Sequence, residues 1–407
     1  MRRLRVGVIG AGRRVREFYT PILEALRDEF EVVGVTSRTP AAARNAAMVL
    51  GGVGYEDVAR MARELHPDLL VVAVSPESNA SVAIQAIETG CAALLETPLG
   101  MDAADAALVC MAAARSRAPV GVAEQKPFLP AECLKHQLIE TGTLGQIVVV
   151  ENDYRSYDYH AIAQLRRYLS RDAVPVTAHG VHASFALDPY ERADSAGSTS
   201  TSGERVEHWE LGSVTFDNGA LLVHQFTSAY KTAPFRTMRS LRIYGTRGSA
   251  VDDEIVVLDA HGRSVRALID ERATRPGPAP AAMTATLPGV NTVEWRNPFV
   301  GCDFTEDQVG VALHLRALSA AIREHGEPLY GPHDALRDIE ILNALRRSAA
   351  RNGIPVPVTH QCGDWRCARP AVIDHAVRSK KWIFGPRGHA AFLRLHRRAR
   401  RGLRRIF

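Results

Sequence analysis

An apolar strand that runs straight into Gly10-Ala11-Gly12 constrains this chain more than anything else in it. Residues 4–9 (LRVGVI) suit a buried strand, and residues 14–27 carry Val15, Phe18, Ile22, Leu23 and Leu26 at helical spacing. The alternation then repeats: strand 31–35, helical segments 40–50 and 56–65, strand 69–74, helix 78–89, strand 92–96, helix 102–116 and strand 119–123. LLVVAV at 69–74 is a continuous apolar run, as a parallel strand covered on both faces requires. This order predicts an α/β fold that opens with a doubly wound parallel sheet.

The pattern changes after Gln125. A helix is expected at 130–141, a strand at 147–153 and a helical run at 160–169. Several short strands then follow between 205 and 267, with a turn at Asp217-Asn218-Gly219. This predicts a second α/β domain with a large, mainly antiparallel open sheet. The Pro/Ala/Gly-rich stretch 275–289 reads as a flexible excursion, and helices at 306–325 and 333–352 close the domain. With 407 residues, two domains are expected, at 1–125 and 126–358, followed by an appendage at 359–407.

Charge sets the appendage apart. The chain has 50 Lys and Arg against 45 Asp and Glu. No acidic residue follows Asp374, and 11 basic ones lie between Arg378 and Phe407. Without those 11 the balance is 39 against 45, a net of −6. A basic nucleic-acid-binding face on the body is therefore not expected. The arginines after Ala390 alternate with Phe392, Leu393, Leu395, Leu403, Ile406 and Phe407, so this segment reads either as a solvated tail or as a basic amphipathic helix for an anionic membrane surface or acidic partner. No apolar run reaches the ~20 residues of a membrane span. The basic N-terminus with its glycine-broken apolar stretch fits a buried strand better than a secretory signal. Six scattered cysteines fit a reduced, cytosolic protein. His360, Cys362, Cys367 and His375 lack the spacing of a zinc site, so no metal is expected.

Glycines at a strand-to-helix turn let the backbone approach a pyrophosphate, while the helix N-terminus offers N–H groups and positive dipole. Val15 stands where the full fingerprint has its third glycine. The end of the second strand reads Thr36-Ser37-Arg38-Thr39, with no acidic residue to accept from a ribose 2′-OH. Hydroxyls and a guanidinium suit a 2′-phosphate, which favours NADP, with NAD the second choice. Arg38 as a solvated loop residue is the alternative.

Five segments together resemble the Gfo/Idh/MocA oxidoreductase family. They are VGVIGAGRR, VAVSPESN, LLETPLG, LRIYGTRGSA and GPHDALRDIEILNALRRSAARNGIPVPV, spanning residues 4–358. The resemblance implies a Rossmann domain followed by an α/β domain whose open sheet covers the nicotinamide and supports homo-oligomers. It puts Gly10, Gly12, Arg13, Arg14, Ser37, Arg38, Ser75, Pro76, Glu96 and Pro98 at the cofactor. The family's usual Glu-Lys-Pro reads Glu96-Thr97-Pro98 here, and threonine carries no charge. The family's Asp-x-x-x-His pair maps onto Ser156 and His160, ahead of AIAQLRRYL.

His160 is the best acid/base candidate, because imidazole titrates near neutral pH. Without the resemblance it would read as a helix-start histidine bonded to nearby backbone. Tyr157 and Asp158 stand beside it as substitutes for the missing aspartate, and Asp158 reads equally as a helix cap. Strand alternation would put Tyr154 and Ser156 on one face and Arg155 on the other. His182, in Gly180-Val181-His182, is the competing histidine, and no matching helix follows it. Lys126 reads as a substrate contact or as a solvated lysine. His333, Asp334 and Asp338 read first as a helix start with solvated charges. Two functions follow: an NADP(H)-dependent oxidoreductase of a small carbonyl, imine or hydroxyl substrate, sugar-like among the options, or an inactive member that binds ligand as a sensor or partner.

Overall fold

The computed structural model describes residues 2–359, apart from Arg155, Tyr157, 194–198, 202–204, Lys231 and 274–277. It divides into two compact units. Met1–Ala123 with Val311–Leu336 make one, and Glu124–Gly310 with Arg337–Thr359 make the other.

The first unit holds β1 (Leu4–Ile9), α1 (Thr20–Ala25), β2 (Phe30–Thr36), α2 (Pro40–Leu50), β3 (Val53–Tyr55), α3 (Val58–Leu65), β4 (Leu69–Val72), α4 (Pro76–Glu88), β5 (Ala92–Leu95), α5 (Ala103–Arg115) and β6 (Val120–Val122). The strands form one parallel sheet in the order β3-β2-β1-β4-β5-β6. Sequence order reverses at β1, so the crevice where an open α/β sheet takes its ligand lies at that strand's C-terminal end, where Gly10 begins. All four residues of β4 and of β5 are buried, which explains their unbroken apolar runs. Thr39, Asp57 and Asp102 each accept a backbone N–H to start α2, α3 and α5.

The expected helix at 14–27 is divided. A π-helical turn at Val15–Tyr19 precedes α1, and the Thr20 N–H donates to Val15 O. Pro21 explains the wider turn: its ring has no N–H and would crowd the carbonyl of residue 17 in a regular α-turn.

The second unit contains α6 (Pro130–Glu140), β7 (Ile147–Asp153), α7 (Asp158–Tyr168), β8 (Pro175–Leu187), β9 (Glu191–Ala193), β10 (Thr199–Thr201), β11 (Arg205–Phe216), β12 (Leu221–Thr227), β13 (Ser240–Gly245), β14 (Gly248–Val251), β15 (Glu254–Leu258), β16 (Ser264–Leu268), β17 (Asp270–Arg272), β18 (Ala282–Leu287), β19 (Asn291–Arg296) and β20 (Val356–Pro357). Two further helices, α8 (Glu306–Glu324) and α9 (Pro332–Ala349), follow β19. Nine strands form the main sheet, ordered β16-β15-β14-β13-β7-β12-β11-β8-β20. Among the described residues, only β7 and β12 pair as strands in parallel within it. This is the predicted large, mainly antiparallel sheet beside a doubly wound one. One face is packed by α7 on β7 and β12 and by α9 at Gly180 and Gly212. The opposite face leaves Val181 and Leu211 exposed.

Three local expectations are corrected. The stretch 275–289 includes β18, a regular strand paired on both sides, because Ala282, Met283, Ala285 and Leu287 bury their side chains. Strand alternation does not extend to 154–156: β7 ends at Asp153, and Tyr154 has φ +35°. Residues 175–187, given no element from sequence, form a 13-residue strand. No helix among the described residues is long and apolar enough to cross a membrane.

Candidate active site

In the first unit, the turn after β1 is shaped by two glycines for different reasons. Gly10 has φ +124°, and a Cβ there would stand 2.1 Å from the Ala73 carbonyl oxygen. No other residue fits, and the Gly10 N–H donates to Thr36 O at 2.8 Å, tying the turn to the end of β2. Around Gly12, by contrast, a Cβ would meet nothing within 4 Å. Packing does not require glycine at 12, so the open space over it is available to a bound phosphate, and the helix that starts at residue 13 presents its N–H groups there. Ser37 is half-buried and Arg38 exposed just beyond Thr36; Arg38 makes no hydrogen bond or ion pair among the described residues. These residues fit a dinucleotide.

The other predicted cofactor residues divide by environment. Arg13 is largely exposed and pairs loosely with Glu17 at 3.6 Å. Arg14 turns inward: its Nε donates to Glu96 Oε1 at 2.7 Å and its guanidinium lies 3.8 Å from the centre of the Phe18 ring. Tyr19 donates to the same Glu96 oxygen at 2.6 Å, and burial beside that carboxylate pushes the phenol well above its usual range. Glu96 is thus a buried anchor for the first helix. Asn79, which received no role from sequence, donates through Nδ2 to the backbone oxygens of Glu96 and Pro98. It fixes the turn that presents Thr97. Its own Oδ1 is buried without a partner. Ser75 and Pro76 are exposed at the start of α4.

In the second unit, His160 lies in the first turn of α7. Its Nδ1 stands 2.7 Å from both carboxylate oxygens of Glu124. A carboxylate only accepts, so Nδ1 carries a proton, and Nε2 is the ring nitrogen turned away from this pair. Nε2 makes no hydrogen bond among the described residues. Glu124 is 1% exposed and His160 15%, and Glu124 also accepts the Lys126 N–H at 3.1 Å. The carboxylate that sequence sought at 156–158 is therefore Glu124, 36 positions earlier.

Asp158 faces another partner. It accepts from Arg346 at 3.0 and 3.1 Å, and the same guanidinium reaches Glu210 at 3.2 Å. Burial pushes the Asp158 carboxyl up, opposed by the Arg346 charge. Asp158 has φ +39°, and that uncommon backbone state is held by this ion pair. Ser156 is buried, and its N–H donates to Asn152 Oδ1 at 3.0 Å. His224 lies against Asn152, and burial lowers its pKa to about 4. Lys126 pairs with Asp307 at 2.7 Å. His182 is exposed on β8, and Asp338 is buried against Arg166 at 2.5 Å. Tyr157 and everything proposed for 360–407 lie outside the described residues.

Residues 4–124 match the model of an oxidoreductase family with an NAD-binding Rossmann fold, and residues 176–358 match that family's C-terminal alpha/beta domain. Among curated proteins, the chain is 26% identical over 148 residues to the uncharacterized protein YMR315W of Saccharomyces cerevisiae and 24% identical over 197 residues to dehydrogenase aclE of Aspergillus oryzae. Those matches take in 36% and 44% of this chain, but only 42% and 53% of the two relatives. A levoglucosan dehydrogenase solved with NADH and L-sorbose superposes with a TM-score of 0.62 at 20% identity, covering 88% of this chain and all of that one. That likeness is one of fold.

Proposed function

The chain belongs to the Gfo/Idh/MocA family of NAD-binding oxidoreductases, and on that premise we propose that it is an NADP(H)-dependent oxidoreductase of a small carbonyl, imine or hydroxyl compound, with His160 as its proton-transfer group. The observation that carries the reading is the imidazole held through Nδ1 by a buried carboxylate with Nε2 free. Such an arrangement fixes the ring's tautomer and orientation and stabilises the imidazolium once a proton is taken. A purely structural histidine gains nothing from leaving its second nitrogen without a partner.

The nicotinamide cofactor would supply hydride exchange. Gly10 and Gly12 would admit its pyrophosphate, and Ser37 and Arg38 would receive a 2′-phosphate that a carboxylate would repel. The remaining cofactor assignments (Arg13, Ser75, Pro76 and Pro98 as contacts, Arg14 and Glu96 as the anchor beneath them) belong to the same proposal. For oxidation of an alcohol, His160 Nε2 accepts the hydroxyl proton; for reduction, the imidazolium returns it. Thr97 would orient the reacting oxygen by hydrogen bonding, without the charge of a lysine. Asp158 is assigned a supporting role through its ion pair with Arg346, and Tyr157 a supporting role in the same proposal.

Titration with NADPH and NADH, followed by turnover of a carbonyl, imine and alcohol panel, tests this. NADP(H) should bind more tightly. His160→Ala should lower turnover by ~10²–10⁴-fold while cofactor affinity holds. Tighter NADH binding refutes the cofactor choice, and undiminished turnover refutes His160. Cofactor binding without turnover of any compound would favour the sensor reading.

Two partner proposals accompany the enzyme. The exposed apolar positions on the uncovered sheet face, Val181 and Leu211 among them, favour a homo-oligomer. The 11 basic residues from Arg378 onward favour contact of a cytosolic protein with an anionic membrane surface, which salt would weaken.

A further inference from the structure

The segment that joins β7 to α7 is short, and the surroundings hold it at three points. Tyr154 and Asp158 both have positive φ, +35° and +39°, although neither is glycine. A left-handed backbone at such residues is costly and persists only where neighbours impose it. The Tyr154 N–H donates to Gln225 O at 3.1 Å, and its ring lies edge-on to Trp209 with centres 5.5 Å apart. Ser156 is buried, with its N–H on Asn152 Oδ1 at 3.0 Å. Asp158 is held by Arg346.

Arg346 reaches Asp158 from a fixed base. The residue before it seats α9 on the sheet: a Cβ at Gly180 would stand 2.0 Å from Leu345 O, and the Gly180 N–H donates to Ser348 Oγ at 2.9 Å. Gly180 pairs with Gly212, and Glu210 lies two residues along β11 on the same face. From there the guanidinium spans two carboxylates. Its Nε and Nη2 donate to Glu210 at 3.2 Å, and Nη2 also donates to both Asp158 oxygens at 3.0 and 3.1 Å. Asp158 opens α7, and two residues on His160 places Nδ1 against Glu124. Glu124 is buried and lies outside α7, so the ring meets it only if the first turn of α7 starts in one place.

We infer that Arg346 is a positioning residue for His160: clamped between Glu210 and Asp158, it imposes the left-handed backbone that starts α7 and so sets the ring against Glu124. The inference rests on His160 as the proton-transfer group. A guanidinium near the site could instead act by its charge on the imidazole, and glycine separates the two actions. At φ +39° glycine carries no steric penalty. Asp158→Gly therefore supplies the backbone state without the clamp, whereas Asp158→Ala supplies neither.

The test reads the His160 ring nitrogens by NMR in the full chain, isotopically labelled at histidine, with the signal identified by its loss in His160→Ala. In the starting protein Nδ1 should stay protonated even above the ordinary histidine range, because Glu124 only accepts. Arg346→Gln and Asp158→Ala should both free the ring, so that its neutral form exchanges between the two tautomers. Asp158→Gly should keep Nδ1 protonated, and adding Arg346→Gln to Asp158→Gly should change nothing further. Arg346→Lys, which keeps the charge but not the fork, should fall between. Arg347→Gln, at a neighbour that donates to Pro357 O and Thr359 instead, should leave the signal as it was. With any compound that is turned over, Arg346→Gln should lower kcat about 10- to 100-fold while KM for NADP+ holds. An unchanged His160 signal in Arg346→Gln overturns the inference. So does a full loss when Arg346→Gln is added to Asp158→Gly, which would assign the effect to charge. If Arg346→Gln does not fold, Arg346→Lys carries the same comparison in both backgrounds. Failure of the underlying reading looks different: His160→Ala would keep turnover while the Nδ1 result stands.

Discussion

In the first unit, the groups that would meet a dinucleotide sit on one turn and one strand end: Gly10 to Gly12, then Ser37 and Arg38. In the second, the ring proposed to transfer the proton and its supports come from positions 124, 158, 160, 210 and 346. The first is a backbone site, in which a conformation and an empty space do the work. The second is a side-chain site, in which charges from distant segments converge. A backbone site therefore fails through strain, and a side-chain site through lost partners.

The largest effect should come from Gly10→Ala. The new methyl meets a carbonyl oxygen at 2.1 Å with φ +124°, so the β1 turn must move, costing about 3 kcal/mol or more in denaturant unfolding. Gly12→Ala, with open space around it, should leave unfolding unchanged and weaken only cofactor binding. If the two variants behave alike, the first site is not a backbone site.

Glu124→Gln comes next. An amide can no longer hold the imidazole as a carboxylate does, so turnover should fall roughly 10²-fold with cofactor affinity intact. Loss of cofactor binding in that variant would erase the distinction between the units.

A third effect is acid sensitivity. His224 is buried as the neutral ring, with its pKa lowered to about 4, while the unfolded chain protonates it near the ordinary value. The unfolded state then binds more protons between roughly pH 6.5 and 4, so stability is full above that window and falls through it. The drop should be on the order of 3 kcal/mol by pH 4, read by denaturation across pH, and His224→Leu should flatten it. The smallest effect belongs to Arg38→Ala, which should narrow the NADPH preference by about tenfold, one charge-assisted contact. An unchanged preference would remove Arg38 from the site.

The same contrast decides what sequence could reveal. A buried parallel strand leaves an unbroken apolar run, and a tight turn requires a glycine, so β1, β4, β5 and Gly10 are legible. The place of His160 at a helix start is legible from the helical run that follows it. Glu124 is not, because a carboxylate partner can arrive from any segment, and nothing in Ala123-Glu124-Gln125 marks its direction. Arg346 is 188 positions from Asp158 and looks like any helical arginine. The strand at 175–187 escaped because its polar and apolar residues do not alternate cleanly: Val181 and Phe185 are exposed on one face, and His182 and Ser184 on the other. Asn79 closes a segment that sequence did single out, but its role requires knowing that residues 96 and 98 fold back over α4.

The contact of α9 on bare strand at Gly180 and Gly212 has a thermodynamic consequence. At Gly180 helix backbone lies on sheet backbone, and at Gly212 a single side chain, Leu345, comes between them, so few rotamers remain for a ligand to freeze. The floor that bears His182 and His208 and the helix that bears Arg346 thus hold their spacing before anything binds. Ordering of flexible side chains is a main cost of association. Any ligand bound over this floor would therefore meet a small entropic penalty, and fit rather than induced closure would govern selectivity there. A β-methyl at 180 would wedge helix and strand apart, and the loss would appear first in the entropy of binding.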